Sequence, residues 1–142
     1  SRFFEPVDEV VVAKTPFGNI GLMVFYDLLL PELSLMLRTK GANILTAPAA
    51  FTYTTGKLHW QLLLQARAMD SQCFVLGAAQ QGWHGEQRQT WGHAGITESR
   101  GQLLQRIDTE GHGLVTSAFD RDEQNTSRLS MPLMQHRRLI NY

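Results

Sequence analysis

At 142 residues the chain has the length of one domain, enough to bury a core and too little for two ordinary domains. Thirteen basic side chains balance thirteen acidic ones, and no run of like charge is present that would neutralise a phosphate backbone or hold an anionic bilayer, so neither nucleic acid nor membrane is an expected partner. A composition 43% hydrophobic and 18% charged excludes a disordered or collagen-like chain, and the longest apolar runs, Ile20 to Tyr26 and Cys73 to Ala79, fall short of the roughly 20 residues that cross a bilayer.

In chain order, Glu9 to Lys14 and Asn19 to Tyr26 read as strands rich in valine, isoleucine and aromatics, joined into a hairpin by Pro16, Phe17 and Gly18. The second is apolar nearly throughout, which predicts cover on both faces. Pro31 to Lys40 reads as a helix with proline in its first turn, Glu32 at its positive end, Gly41 as its stop and an apolar stripe of Leu33, Met36 and Leu37. A strand at Ala42 to Ala47 follows, then a longer helix from about Lys57 to Ser71 with Leu58, Leu62, Ala66 and Met69 at helical spacing. Gln72 to Gln80 is a further buried strand, and Gln81 to Thr90 a polar loop. Strands are expected at Gly92 to Thr97 and Gln102 to Arg106 around a turn at Glu98 to Gly101, with a last strand at Gly113 to Phe119. Asp120 then caps a helix that runs to about Leu129. Strands alternating with helices predict an α/β fold without an internal repeat or linker.

The lone cysteine, Cys73, cannot close an internal disulfide, and the opening from Ser1 to Lys14 is polar and carries acids among its valines, unlike a secretory signal. A reducing cytoplasm is the expected compartment. His59, His93 and His136 share no ligand spacing, so no metal or other cofactor is expected.

The stretch TPFGNIGLMVFYDLLLPELSLMLRTKGANILTAPAAF, Thr15 to Phe51, resembles the nucleophile region of the nitrilase superfamily of carbon-nitrogen hydrolases, where a strand of the form IGLxxCYD leads to RFPE and a helix. GKLHWQLLLQARAMDSQCFVLGAAQQG (Gly56 to Gly82), WGHAG (Trp91 to Gly95) and PLMQHRR (Pro132 to Arg138) continue the likeness in order. The likeness is greatest to the branch that hydrolyses ω-amides and deaminated glutathione. It implies a partial four-layer α-β-β-α sandwich, with residues 1–142 forming the C-terminal portion of a single hydrolase domain.

The family's chemistry uses a glutamate base, a lysine at the oxyanion and a cysteine thiolate. Here Phe25 holds the cysteine's place between Val24 and Tyr26, and Leu29 replaces the arginine of RFPE. Ser1 to Gly18 resembles the segment that follows the lysine, so the glutamate and lysine fall upstream, and we expect an inert site with its pocket blocked by the phenyl ring. By the same resemblance Tyr26, Asp27, Phe51, His59 and Trp60 line the substrate pocket. The backbone N–H of Tyr26 corresponds to part of the oxyanion hole.

Each of these residues also has a plainer reading. Asp27 caps the turn after the strand, and His59 packs beside the stripe of Leu58 and Leu62. Arg67 is expected to pair with a carboxylate or carbonyls. Cys73, in the apolar QCFVLGAA without a basic neighbour in sequence, reads as a core thiol rather than a substitute nucleophile. Arg137 and Arg138 form a solvated basic tip. The expected function is that of a catalytically dead amidase-type chain whose family acts on small amides. The alternative is an interaction module, a homo-oligomer or the partner of an N-terminal half, with exposed strand edges and an apolar face.

Overall fold

The computed structural model of the chain describes residues 8–138; the first seven residues of the segment assigned to the entry of the nucleophile strand lie outside them. Strands β1 (Val12–Lys14) and β2 (Asn19–Leu22) form the expected antiparallel hairpin, and α1 (Pro31–Thr39) returns the chain to β3 (Ile44–Thr46). Helix α2 (Tyr53–Ser71) leads to β4 (Phe74–Gly77). β2, β3 and β4 lie parallel, as strands joined by helical crossovers must. After a separate hairpin of β5 (Gln81–His84) and β6 (Arg88–Trp91), strands β7 (Gly95–Thr97) and β8 (Leu103–Arg106) extend the sheet antiparallel in the order β1-β2-β3-β4-β7-β8. Helices α3 (Arg121–Ser130) and α4 (Leu133–His136) end the described chain. Among the described residues no helix is long and apolar enough to cross a membrane.

The core lies between the central strands and the helix pair. Gly21, Leu45 and Val75 stand in register on the face that meets α1 and α2. A Cβ on Gly21 would come within 2.8 Å of Leu45 and 3.2 Å of Leu37, and one on Gly77 within 2.7 Å of Trp60 and 2.9 Å of Leu64. The helices therefore approach the sheet where it carries no side chain. Leu37, Trp60, Leu64 and Ala68 are sealed in this layer.

Helix α2 turns a different side inward from the one the spacing pointed to. Leu58, Leu62 and Met69 lie on its solvent face, at 68%, 65% and 54% exposure. Trp60, Leu63, Leu64 and Ala68 form the buried face. Both sets recur at helical intervals; bulk and the glycine beneath it decide between them, because the indole of Trp60 fits over Gly77. Met36 of α1 is likewise outside its helix's buried stripe.

Several other expectations change. β2 ends four residues early, because the chain turns into a 3-10 helix at Phe25–Leu29. Nor is β2 covered on both sides: Ile20, Ile44 and Phe74 stand in register on the second face and are only half-buried, while Leu22 is exposed. Residues 81–90, expected to be a polar loop, form most of the β5–β6 hairpin, with Gly85 at positive φ in its turn. The strand expected at Gly113–Phe119 does not form. The segment joins no ladder, and its visible ties are the Thr116 N–H donating to Gln105 Oε1 at 2.9 Å and the Phe119 ring packing edge-on against Phe74. Asp120 caps α3 as expected, accepting from the N–H groups of Asp122 and Glu123.

α3 docks through polar bonds. Gln124, buried, donates to the Asn43 carbonyl at 2.9 Å and to Ser99 Oγ at 2.8 Å, and accepts from Asn43 Nδ2 at 3.1 Å. A fully paired amide in the interior fixes one arrangement of the helix on the strand below.

Leu64→Ala is expected to destabilise the chain by about 2–5 kcal/mol and Leu62→Ala by no more than about 0.5 kcal/mol. Urea titration of the two variants checks this, and equal losses would return the stripe to the face read from spacing.

Candidate functional site

At the end of β2 the main chain leaves the sheet in a sharp elbow. The Met23 N–H still donates to Thr46 O at 3.0 Å, and the Phe25 N–H to Pro48 O at 3.0 Å. Phe25 then takes φ +32°, a conformation L residues with bulky side chains rarely adopt, and the 3-10 helix begins. Such a residue stores about 1–3 kcal/mol and persists only where its surroundings hold it.

Three sets of contacts hold it. Asp27 returns to the residue before the elbow, its carboxylate accepting from the Val24 N–H at 2.8 Å and its own N–H donating to Val24 O at 2.9 Å. The Phe25 ring lies 4.5 Å from Phe51, which lies 5.6 Å from Trp60, and the Trp60 Nε1–H donates to His93 O at 2.7 Å. From α2, Arg67 donates through Nε to Leu28 O at 2.8 Å and through Nη1 to Asp70 Oδ2 at 2.7 Å. Ser34 of α1 joins them, donating to Pro31 O at 2.9 Å with Asp70 Oδ1 3.4 Å away. Burial pushes the Asp70 carboxyl above the usual carboxylate range, and the neighbouring guanidinium of Arg67 opposes the rise.

Of the residues singled out by resemblance, Phe25, Phe51 and Trp60 therefore meet in one aromatic row, and Asp27 caps the adjoining turn as its plainer reading had it. Tyr26 is 63% exposed and His59 is exposed on α2. His59 thus does not pack beside the stripe, because that stripe itself faces solvent. Arg67 pairs as expected, with both a carboxylate and a carbonyl. Leu29, in the place of the family's arginine, is 39% exposed.

Cys73 is fully buried, its Sγ 3.3 Å from Ala42 O. The basic neighbour its local sequence lacks is supplied by the fold, since Arg128 Nη2 approaches Sγ to 3.4 Å. Burial nevertheless dominates and raises the thiol's pKa. A protonated, enclosed thiol is no nucleophile.

A cavity of about 940 Å³ opens beyond the aromatic row, between the β5–β6 hairpin and the loop at 107–113. Tyr53, Trp83, Trp91 and His93 line it, and Phe25 does not. The His93 ring stacks on Trp91 at 3.9 Å, and its Nδ1 lies 2.7 Å from Trp91 O. A carbonyl only accepts, so Nδ1 carries the proton in the neutral ring. This wall escaped the sequence reading, which took 81–90 as loop; alternation of Gln81, Trp83 and Gln89, Trp91 across a glycine turn was the available signal. Among the described residues no three histidine, cysteine or acidic side chains gather as metal ligands.

A family model described as carbon-nitrogen hydrolase matches residues 1–128. Deaminated glutathione amidase of Yersinia enterocolitica is 39% identical over 141 residues, 99% of this chain and 49% of that protein. The nitrilase and fragile histidine triad fusion protein NitFhit of Drosophila melanogaster is 46% identical over 125 residues, 88% of this chain and 27% of that one. Among solved structures, Saccharomyces cerevisiae Nit3, a member of branch 10 of the nitrilase superfamily, superposes with a TM-score of 0.88 at 29% identity, covering 98% of this chain and 51% of that one. The chain thus spans half or less of the length of the curated relatives named.

The Asp70 shift gives a pH signature. Its folded pKa lies above the unfolded value of about 3.9, so its contribution to stability is fully present below that value and is lost as pH rises through the folded pKa. The stability of the chain relative to Asp70→Asn is therefore expected to fall across that interval, as read from urea midpoints at stepped pH. A difference that is flat or rises with pH contradicts it.

Proposed function

The chain belongs to the carbon-nitrogen hydrolase family, close to the deaminated glutathione amidases, and from that premise we propose that it is an amidase-type polypeptide unable to form the covalent intermediate of its family. In that chemistry a thiolate attacks the amide carbonyl carbon, ammonia leaves with a proton from the general acid, and water hydrolyses the thioester. One observation carries the reading: the residue at the strand-end elbow is Phe25, whose ring has no lone pair to attack carbon and no proton to transfer. Its packing on Phe51, and through it on Trp60, supports a pocket filled at the point where a substrate carbonyl would sit. The elbow itself, with its positive φ, supports descent from a site built to present a nucleophile. Small linear amides are the substrate class the family relation suggests for an intact relative. The buried thiol, which can form no internal disulfide, fits a cytoplasmic setting.

A second reading, as an interaction module, draws on two further features. Ile20, Ile44, Phe74 and the exposed Leu22 leave the second sheet face only partly covered. The extended segment Gly113–Phe119 leaves backbone groups outside any ladder. Relatives about twice as long supply a natural occupant, an N-terminal half that lays its own sheet against this one; a second copy of the chain is the competing one.

The test is ammonia release from small ω-amides by the chain, alone and mixed with a separately produced N-terminal half of a family relative. No turnover is expected from the unaltered chain, since loss of a nucleophile costs about 10⁶-fold in rate. The Phe25→Cys variant in the same mixture is expected to yield an acyl adduct visible by mass spectrometry. Turnover by the unaltered chain ends the inactivity reading. For the second reading, gel filtration is expected to show association and apolar-dye binding that the added half suppresses; a monomer that binds no dye counts against it.

A further inference from the structure

The last turns of α1 and α3 and the C-cap of α2 meet around a cavity of about 390 Å³, within the usual size range of small-molecule sites. Arg38 and Arg128 both line it, with the amides of Asn125 and Gln135. Neither arginine makes an ion pair among the described residues, and no acidic side chain lines the cavity.

Arg128 is occupied by the helix end beside it, donating through Nε to Gln72 O at 2.9 Å and through Nη2 to Gln72 O at 2.7 Å and Ala42 O at 3.2 Å. That accounts for one cation. It does not account for Arg38, whose Nε is buried without a hydrogen-bond partner among the described residues. Burying a guanidinium donor unpaired is unfavourable, and setting a second cation beside it adds to the cost. Burial pushes Arg128 down to about 10, with the Arg38 charge adding to the fall, so Arg128 remains cationic at neutral pH; burial lowers Arg38 as well. Leu129, Pro132 and Met134 add apolar surface to the lining.

We propose that this cavity binds an oxyanion through Arg38, as free phosphate or as the head group of a small phosphomonoester. A guanidinium presents paired donors in the geometry a phosphate accepts, and an anion there offsets charge that no acidic side chain lining the cavity balances. Asn125 and Gln135 supply further donors at the rim, and the apolar surface suits an organic body. The site is separate from the Phe25 elbow and does not rest on the hydrolase reading.

The full chain is titrated with inorganic phosphate and with phenyl phosphate by calorimetry, and its Tm is followed with each. Both are expected to bind and to raise Tm. Tighter binding of phenyl phosphate assigns the ligand to the phosphomonoesters, and equal binding assigns it to free phosphate. Arg38→Gln is expected to weaken binding about tenfold or more. Asn125→Asp, on the exposed side of α3, keeps Arg38 in place and is expected to weaken binding by setting a carboxylate at the rim. Absence of heat and of any Tm change with both ligands overturns the proposal, as does affinity untouched by both substitutions. An Arg38 that serves only the helix ends predicts that second result.

Discussion

Two glycines govern how this chain packs. Gly21 on β2 and Gly77 on β4 leave gaps in the sheet surface, and the side chains of Leu37, Trp60 and Leu64 descend into them. Close approach there is what excludes water from the layer between sheet and helices, the largest favourable term available to a chain this short. The consequences run outward. With Trp60 fixed over Gly77, α2 can present Arg67 to the carbonyl of Leu28, and the elbow at Phe25 is held from the helix side as well as from the strand side.

At the elbow a strained backbone carries a bulky side chain. Its geometry comes from main-chain bonds to Thr46 and Pro48 and from the turn closed by Asp27, and none of these involves the side chain of residue 25. Phenylalanine can therefore stand there without undoing the turn. Its ring then finds compensation in Phe51, since aromatic pairs at such separations add to simple burial. The turn thus keeps its main-chain bonds around an aromatic side chain that carries no nucleophilic atom.

The two faces of the sheet differ in how completely they are satisfied. One is sealed by α1 and α2. On the other, α3 is held by the buried Gln124–Asn43–Ser99 bonds and Phe119 covers part of Phe74, yet Ile20 and Ile44 stay half-exposed. The extended run at Gly113–Phe119 belongs to the same imbalance. Its valine and phenylalanine favour a strand, but a strand forms only by pairing with an edge, and the segment meets the edge strand β8 through the Gln105 side chain rather than through its backbone.

The sequence by itself determined the α/β class, the order of strands and helices through β4, the cap at Asp120, the interior place of Cys73 and the family, because each rests on local chemistry or on long motifs that survive in the chain. It also determined that no thiol stands at the elbow. Only the tertiary structure decided which face of α2 is buried, since two apolar stripes share the helical period and the gap above Gly77 chose between them. The fold likewise turned residues 81–90 into a hairpin, left Gly113–Phe119 unpaired and set Arg128 beside Cys73 from 55 positions away. Periodicity and propensity report what a segment prefers alone; partners distant in sequence settle which preference is realised.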